Sequence, residues 1–566
     1  MNNVAYLILR RLRIPLIVLI VTYAVLVLGY VLIPGQDADG NVYRMSFFHA
    51  LYFVSFMGTT IGFGEIPYPF TDAQRFWTMF SIYASVIGWL YSVGAVFAIL
   101  RDNAFHRLIQ RTRFRYRIRA IKEDFYIVCG YGLTGSSVVA KLTDRGVHCV
   151  VIDIAPERMD AMGMDDLPFD VPGLCGDAGD PEVLQDAGID NDHCIGVLCL
   201  TNDDHVNLAI AIASKLLKPY RVVISRVATQ DYAKNLASFG TDHILDPFDI
   251  FANYLNMAIN NPYRHLIYDW LISPHHRNVS TVYTEKQGMW VLCGFGRFGK
   301  AIQKCFDESK LSTTIIEPNP EQQGLDKHER CIVGLGTEAD TLSEADIKNA
   351  VGIVAGTADD ANNLSIIMTA RELKSNLVTV ARQNQRFNRS VFNAAGIDML
   401  MDQSSIISNH ILAILKTPLL IEFLNQIRGH SEKWCKALMD DLEKIAAESE
   451  LDSWSFVIGK KDTPALYEQL TEGNPVTVKN LLTHPRDRSS HLACTALLIK
   501  RNKQLMVLPN NATSLKIADE ILFCGLASEE GWLAWMMQSK FALRYVISGQ
   551  EESGYLWQWF KRRRSP

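Results

Sequence analysis

A chain of 566 residues is too long for one hydrophobic core and implies several domains. Its 56 basic and 61 acidic side chains leave a net charge of −5, which argues against a nucleic-acid partner. Eleven cysteines are scattered without a CxxC pair, so in a cytosolic setting they read as buried apolar thiols.

The charge is distributed unevenly. Ile14 to Ile33 holds no charged side chain over 20 residues, and neither does Phe76 to Leu100 over 25. At about 1.5 Å per residue, either run is long enough to cross a hydrocarbon core of ~30 Å as a helix. Arg10, Arg11 and Arg13 resemble the basic start of a signal peptide. The apolar stretch after them is long, however, and "PGQDADG" follows it without a small-residue cleavage pattern, so a retained span is expected. Between the runs, Met45 to Met57 is apolar and aromatic but only 13 residues long, half a span, which predicts a re-entrant helix. It leads into "TTIGFG", where alternating glycines permit backbone angles that aim successive carbonyls the same way. Arginines before the first run, and Arg101 through Lys122 after the second, put both flanks in the cytoplasm and residues 34–75 outside.

Beyond the membrane segment the chain repeats itself. "FYIVCGYGLTGSSVVAKL" (125–142) matches "MWVLCGFGRFGKAIQKCF" (289–306), placing Gly130, Gly132 and Gly135 over Gly294, Gly296 and Gly299 at an offset of 164. Asp153, closing "CVVID", falls on Glu317, closing "TTIIE". Further on, "LTNDDHVNLAIAIA" matches "GTADDANNLSIIMTA" and "VVISRV" matches "LVTVAR" at an offset of 156, so the second copy has lost eight residues. Each copy alternates buried apolar runs with amphipathic stretches, the pattern of a doubly wound parallel sheet. In the GxGxxG turn the first glycine makes the bend, the second admits a pyrophosphate and the third packs helix on sheet; the following acid is placed for ribose hydroxyls. The opposing reading is a degenerate, empty Rossmann fold. Arg297, Phe298 and Lys300 belong to the second turn, where the first has Leu133 and Thr134, so the second copy is expected to be the main nucleotide site. Asp153 and Glu317 favour a free 2′-hydroxyl, hence NAD or an adenine nucleotide over NADP.

After each copy comes a stretch expected to be a long amphipathic helix crossing to a neighbouring domain: "DPFDIFANYLNMAINNPYRHLIYDWLIS" and "DQSSIISNHILAILKTPLLIEFLNQI". A polar helix (429–450) and a small β-containing lobe follow, then the tail "YLWQWFKRRRSP", which is either a membrane contact or a docked terminus. His275 and His276 could ligate a metal, and clusters such as "CGDAGDPE" could offer oxygens to Ca²⁺. A loop histidine pair is usually only solvated, and the acids lack EF-hand spacing. No substrate domain with a proton-transfer residue is evident, so the nucleotide is expected to regulate rather than react, and the chain is not expected to be an enzyme.

Thr60, Ile61, Gly62, Phe63 and Gly64 resemble the TVGYG filter of potassium channels, with Ile for Val, Phe for Tyr, and Glu65 after it in place of Asp. With two spans, one pore loop and GxGxxG domains behind them, the chain resembles prokaryotic two-transmembrane channels gated by tandem RCK (regulator of K⁺ conductance) domains. The resemblance implies that Thr60 to Phe63 carbonyls and the Thr60 hydroxyl replace water around K⁺, and that four chains close one filter. It implies a homotetramer in the prokaryotic inner membrane and a ring of eight RCK domains, since each chain carries two and no Met between Met79 and Met159 offers an internal start. NAD or ADP, with Ca²⁺ or another divalent cation as a further candidate, would act on that ring. Gly88 and Gly94 are either bending points or packing residues of the second span, Gly88 lying 26 residues past Gly62, and Phe97 would line or plug the pore. The implied domains are a pore module (1–106: spans 14–33 and 74–100, pore helix 45–58, filter 60–64) and a basic linker (107–121). A first RCK domain with its crossover (122–286), a second (287–430), a C-terminal lobe (431–530) and a tail (531–566) follow. The fold class is thus a helical membrane pore module, two tandem α/β Rossmann-like domains and a small α+β lobe. The alternatives are a membrane-anchored NAD-dependent oxidoreductase and a regulatory subunit of a K⁺ transporter.

Overall fold

The computed structural model describes residues 2–62, 64–101, 103–272, 288–325, 330–446 and 449–549. Phe63, His275, His276 and the aromatic-basic tail lie outside the described residues. The chain divides into two compact units, one of residues up to Lys122 together with Asp186–Gly188, the other the remainder.

In the first unit, α1 (Asn2–Leu32), α2 (Phe47–Gly58) and α3 (Asp72–Leu100) pack on one another. Leu12–Leu32 and Asp72–Ala98 are long and apolar enough to cross a membrane, while α2 is not. Without a hydrophobic drive between helices in lipid, small and hydrogen-bonding residues set the contact. Gly29 sits so close to Trp77 that a Cβ there would fall 2.2 Å from its ring. The Trp77 indole N–H donates to Leu26 O at 3.2 Å, Tyr30 donates to Thr78 Oγ1 at 3.0 Å, and Ser92 donates to Pro15 O at 3.1 Å. Tyr30, Phe53 and Phe70 pack edge to face beneath α2, with centroids about 5 Å apart for Tyr30–Phe53 and Phe53–Phe70. Outward-facing Ile14, Ile20, Val21, Phe76, Met79 and Ile87 are exposed, the apolar surface expected of spanning helices. The basic segment read as a linker is a helix, α4 (Asn103–Ala120), in keeping with the good helix propensity of arginine.

The second unit opens with a six-stranded parallel sheet: β1 (Phe125–Cys129), β2 (His148–Asp153), β3 (Gly173–Cys175), β4 (Cys194–Cys199), β5 (Val222–Arg226) and β6 (His243–Leu245), in the order β3-β2-β1-β4-β5-β6. Helix α5 (Leu133–Asp144) follows β1, and α6 (Pro247–Asn260) and α7 (Pro262–Ile272) leave the sheet after β6. The second lobe repeats this with β7 (Met289–Cys293), α8 (Arg297–Glu308), β8 (Ser312–Ile316), β9 (Cys331–Ile332), β10 (Ala350–Ala355), β11 (Val378–Gln383) and β12 (Met399–Asp402), ordered β9-β8-β7-β10-β11-β12. Phe125–Cys129 is buried end to end and Ala350–Ala355 everywhere but Val351, as their apolar runs require. Most of the eight-residue deletion falls before the third strand. Ile152 pairs with Leu174, a step of 22 residues (174 − 152), while Ile316 pairs with Ile332, a step of 16 (332 − 316).

The long crossover helices expected from the sequence are each broken in two. Asn261 and Thr417 leave helical geometry, and Pro262 and Pro418 start new helices, α7 and then α10 (Pro418–Gln426) after α9 (Gln403–Lys416). The second pair bends by 108°. Proline lacks the amide that would continue the ladder and disfavours helix in the residue before it, so the break is local in origin. Capped by Asp246 and Asp402, the crossover helices trade places: α6 packs on α8 of the second lobe, and α9 packs on α5 of the first. Phe248, Phe251, Leu255 and Ile259 meet Phe298, Ile302 and Phe306, while Ile407, Ile411 and Ile414 meet Val138, Val139 and Leu142. Burying one such side chain stabilises by about 2 kcal/mol, so the exchange is a substantial part of what holds the lobes. Beyond it, Glu432–Ala446 and a four-stranded antiparallel sheet form a small lobe, in which Arg501 holds the fully buried Asp519 through two bonds of 2.7 and 2.6 Å.

At the α6–α7 elbow, Asp269 and His265 are buried. Tyr254 donates to Asp269 Oδ1 at 3.1 Å, but Asp269 Oδ2 and His265 Nε2 are buried without partners. Burial pushes the Asp269 carboxyl up to about 6 and His265 down to about 4. Because the native state keeps the Asp269 proton to higher pH than the unfolded chain, this group's contribution is most favourable below about pH 4 and is lost as pH rises toward about 6. Asp269→Asn should therefore raise the thermal unfolding midpoint at pH 7.5, by an equivalent of up to about 3 kcal/mol, and leave it unchanged near pH 4. Equal effects at both values would show that the carboxylate is not the destabilising group.

Candidate functional site

Two places carry chemistry, one in each unit. In the first, α2 starts at Ser46, whose Oγ accepts the His49 amide at 3.3 Å, and ends at Thr59. Thr60 N–H then donates back to Met57 O at 3.1 Å, and the amides of Ile61 and Gly62 both donate to Phe56 O, at 3.1 and 3.4 Å. The amide hydrogens are thus turned into the helix end. Beyond it φ is −80° at Thr59, +60° at Thr60, not positive at Ile61, +66° at Gly62 and +72° at Gly64. Alternating handedness of the backbone is the condition under which successive carbonyls can face one side. A β-branched residue at positive φ costs about 1–3 kcal/mol, which an ordinary turn would avoid with Gly or Asn. The helix dipole adds roughly half a negative charge at the same end. An oxygen-lined, electronegative strip suits a cation. Tyr52 on α2 donates to Glu65 Oε2 at 3.3 Å, bracing the far end of the strip. Helix α3 runs unbroken through Gly88 and Gly94. A Cβ at Gly88 would lie 3.4 Å from Thr22, an ordinary packing contact, and Phe97 is exposed in the single chain.

In the second unit the two glycine turns show a division of labour. Gly130 and Gly294 bend the chain at φ +102° and +91°. A Cβ on Gly135 or Gly299 would fall 1.8 or 2.1 Å from the carbonyl oxygen of Gly130 or Gly294, so only glycine lets the helix sit there. The acids hold the turns: Asp153 accepts the amides of Tyr131 (2.6 Å) and Ala155 (2.8 Å), and Glu317 those of Phe295 (2.7 Å) and Asn319 (3.2 Å). The turns differ at the middle glycine. Arg158 pairs with Asp153 at 3.3 Å and lies 3.7 Å from where a Gly132 Cβ would be, whereas no described residue stands within 4 Å of that position at Gly296. Among the described residues the second turn is the more open one.

Sequence reasoning missed what surrounds it. Arg297 and Arg382 both face the ring of Phe248, at 5.6 and 5.2 Å, and Phe248 belongs to α6 of the first lobe. Arg226 and Arg382 hold matching places at the ends of β5 and β11. Buried Asn207 and Asn363 fix both strand ends: Asn207 accepts the Thr201 amide (3.0 Å) and donates to Arg226 O (3.1 Å), and Asn363 does the same with Thr357 (2.9 Å) and Arg382 O (2.8 Å). The signal was present in the repeat, since "VVISRV" and "LVTVAR" align arginine on arginine. Burial and the neighbouring Arg297 lower Arg226, and the same causes bring Arg382 down to about 10. Among the described residues, no group of three or more His, Cys, Asp or Glu is placed to hold a metal ion.

Residues 16–102 match the ion channel family, and residues 126–247 and 290–402 each match the TrkA-N domain. The chain thus joins one ion-channel region to two TrkA-N domains. As an ion-channel relative with two apolar helices it is a membrane protein. It is 25% identical over 233 residues to "Probable potassium channel protein 2" of Methanocaldococcus jannaschii, covering 41% of this chain and 63% of that protein. It is 26% identical over 217 residues to "Voltage-gated potassium channel Kch" of Escherichia coli, covering 38% of this chain and 50% of that one. An uncharacterized protein of Methanothermus fervidus is 26% identical over 40% of this chain and 35% of its own length, so the chain spans between about a third and two thirds of these relatives. Among solved structures, "GsuK channel bound to NAD" aligns over 94% of this chain and 99% of that chain at 15% identity, with a TM-score of 0.45, too low to carry a conclusion.

Each TrkA-N lobe places its predicted glycines in one turn. The lobes part company at the turn's mouth, which Arg158 flanks in the first and Arg297 and Arg382 in the second. Gly299→Ala should drive a methyl into the rigid Gly294 carbonyl and destabilise the second lobe by about 1–3 kcal/mol, seen as a lower thermal unfolding midpoint of the purified protein. An unchanged midpoint would mean that the turn is not as tight as described.

Proposed function

We propose that four copies of this chain form a K⁺-selective channel in the inner membrane of a prokaryote, with both chain termini cytoplasmic. Nucleotide binding to a cytoplasmic ring of eight RCK domains controls its opening. The observation that carries the reading is the positive φ of Thr60, Gly62 and Gly64 at the end of a half-length apolar helix. One strip of carbonyls coordinates an ion from one side only, so a closed filter needs symmetric copies, and one loop per chain calls for four. The Thr60, Ile61, Gly62, Phe63 and Gly64 segment is the filter in this reading. The arginines flanking both spans support the cytoplasmic placement of the RCK domains.

The regulatory ligand is NAD or an adenine nucleotide, held first at the turn of Gly294, Gly296, Arg297, Phe298 and Gly299 with Glu317. The turn of Gly130, Gly132, Gly135 and Asp153 is a second, more covered site. A ligand shifts the open and closed populations only by its difference in affinity for the two. Ca²⁺ or another divalent cation remains a further candidate regulator in this scheme.

Planar-bilayer recording of the purified protein, with NAD⁺, NADH, ADP, ATP and Ca²⁺ added in turn, tests the reading. A K⁺-selective current altered by a nucleotide is expected, and Gly62→Asp should abolish it by placing a carboxylate and a strained Cβ in the strip. Absence of K⁺-selective current under every condition would sink the channel assignment.

A further inference from the structure

The seam between α1 and α3 is bonded unevenly along its length. Toward one end three hydrogen bonds cross it: Thr71 to Pro34 O at 3.4 Å, Tyr30 to Thr78 Oγ1 at 3.0 Å, and the Trp77 indole to Leu26 O at 3.2 Å. Gly29 presses against Trp77 at the same level. Toward the other end, among the described residues, a single hydrogen bond crosses, from Ser92 Oγ to Pro15 O at 3.1 Å. Just beyond it the seam thins out. A Cβ on Gly94 would meet no described residue within 4 Å, and Phe97 is exposed in the single chain.

The Ser92 hydroxyl is buried, and it has a second acceptor: Gly88 O on its own helix, at 2.9 Å. A hydroxyl carries one hydrogen, so the two carbonyls compete for it. Each carbonyl lies inside a helix, where the amide four residues on already bonds it. Neither is orphaned when the hydroxyl turns to the other, so the exchange costs little. Bonding of a serine to the carbonyl one turn earlier is also a contact that bends helices. In lipid, where no hydrophobic drive holds helix to helix, one interhelical hydrogen bond shifts an equilibrium about threefold on average. That is enough to bias a movement and too little to forbid it.

We infer that Ser92 is a gating latch: in the resting channel its hydroxyl holds the last turns of α3 on α1 through Pro15 O, and opening hands the bond to Gly88 O. The end of α3 that carries Phe97 is then free to leave α1. The inference rests on the channel reading above and adds a named contact that opening has to break. The bonds of Tyr30, Trp77 and Thr71 keep the rest of the seam in place, so the movement is confined to the thinly held end.

Planar-bilayer recording of the purified full-length protein without nucleotide tests this. Ser92→Ala should raise the open-to-closed ratio at least about threefold. Single-channel conductance and K⁺ selectivity should stay unchanged, because the Thr60–Gly64 segment takes no part in the latch. Ser92→Thr, which keeps a hydroxyl, should hold the wild-type ratio. Should Ser92→Ala fail to assemble, Ser92→Cys replaces it, since a thiol is a much weaker donor, and the same rise is expected. Ser85→Ala is the control. That buried hydroxyl donates to Ile82 O of its own helix at 3.2 Å and, among the described residues, bonds nothing on α1, so its loss should leave the ratio as it is. A Ser92→Ala ratio equal to or below that of the wild type, or an equal rise in Ser85→Ala, would overturn the latch while the channel reading stands. A wild type without K⁺ current under any condition would overturn the channel reading, and the latch with it.

Discussion

Backbone that leaves helical geometry inside a hydrocarbon layer must find partners for its amides or face water, and the proposed pore loop would have to meet that demand. The short α2 cannot cross such a layer, so in the proposed pore the chain would turn back within it. The amides of Thr60, Ile61 and Gly62 are spent on the helix end. The carbonyls are left for other partners, and φ is positive at Thr60, Gly62 and Gly64. In the proposed filter a row of such carbonyls meets a dehydrated cation, a partner that lipid cannot replace. The close contacts of Gly29 with Trp77 and of Gly58 with Tyr23 hold α2 and the two spans tightly enough to fix where that row stands.

The second unit is governed by a different closeness. Both glycine turns press a helix start against the carbonyl of the first glycine, and in both the following acid ties down the amide of the next residue. Each helix so placed is then covered by the crossover helix of the other lobe. The lobes therefore share their cores. What happens at the mouth of one turn is felt by residues that belong, in sequence, to the other.

Much of this was legible in the sequence because it rests on periodicity and on glycine. The two spans, the half-length helix and the paired six-stranded sheets follow from unbroken apolar runs and from a repeat that keeps its motifs in order. Three things were not. The crossover segments read as long helices because their apolar spacing continues across Asn261 and Thr417, and only the prolines mark the elbows. The basic linker is helical, since arginine spacing gives no sign of a break. The placing of Arg297 and Arg382 over Phe248 depends on which lobe each helix covers, a long-range fact that no local pattern encodes. Gly88 and Gly94 are as ambiguous in sequence as before, though the Gly88 contact with Thr22 gives the packing role a partner.

Carrying both lobes on one chain frees them from having to be alike. Two identical subunits exchanging helices would have two identical mouths, and any substitution would alter both. Here Arg297 stands in one copy and Leu133 in the other, and Arg158 flanks one middle glycine while the other is open. The duplication has turned a symmetric pair into a left and a right hand. One can specialise in sensing while the other keeps the scaffold in place.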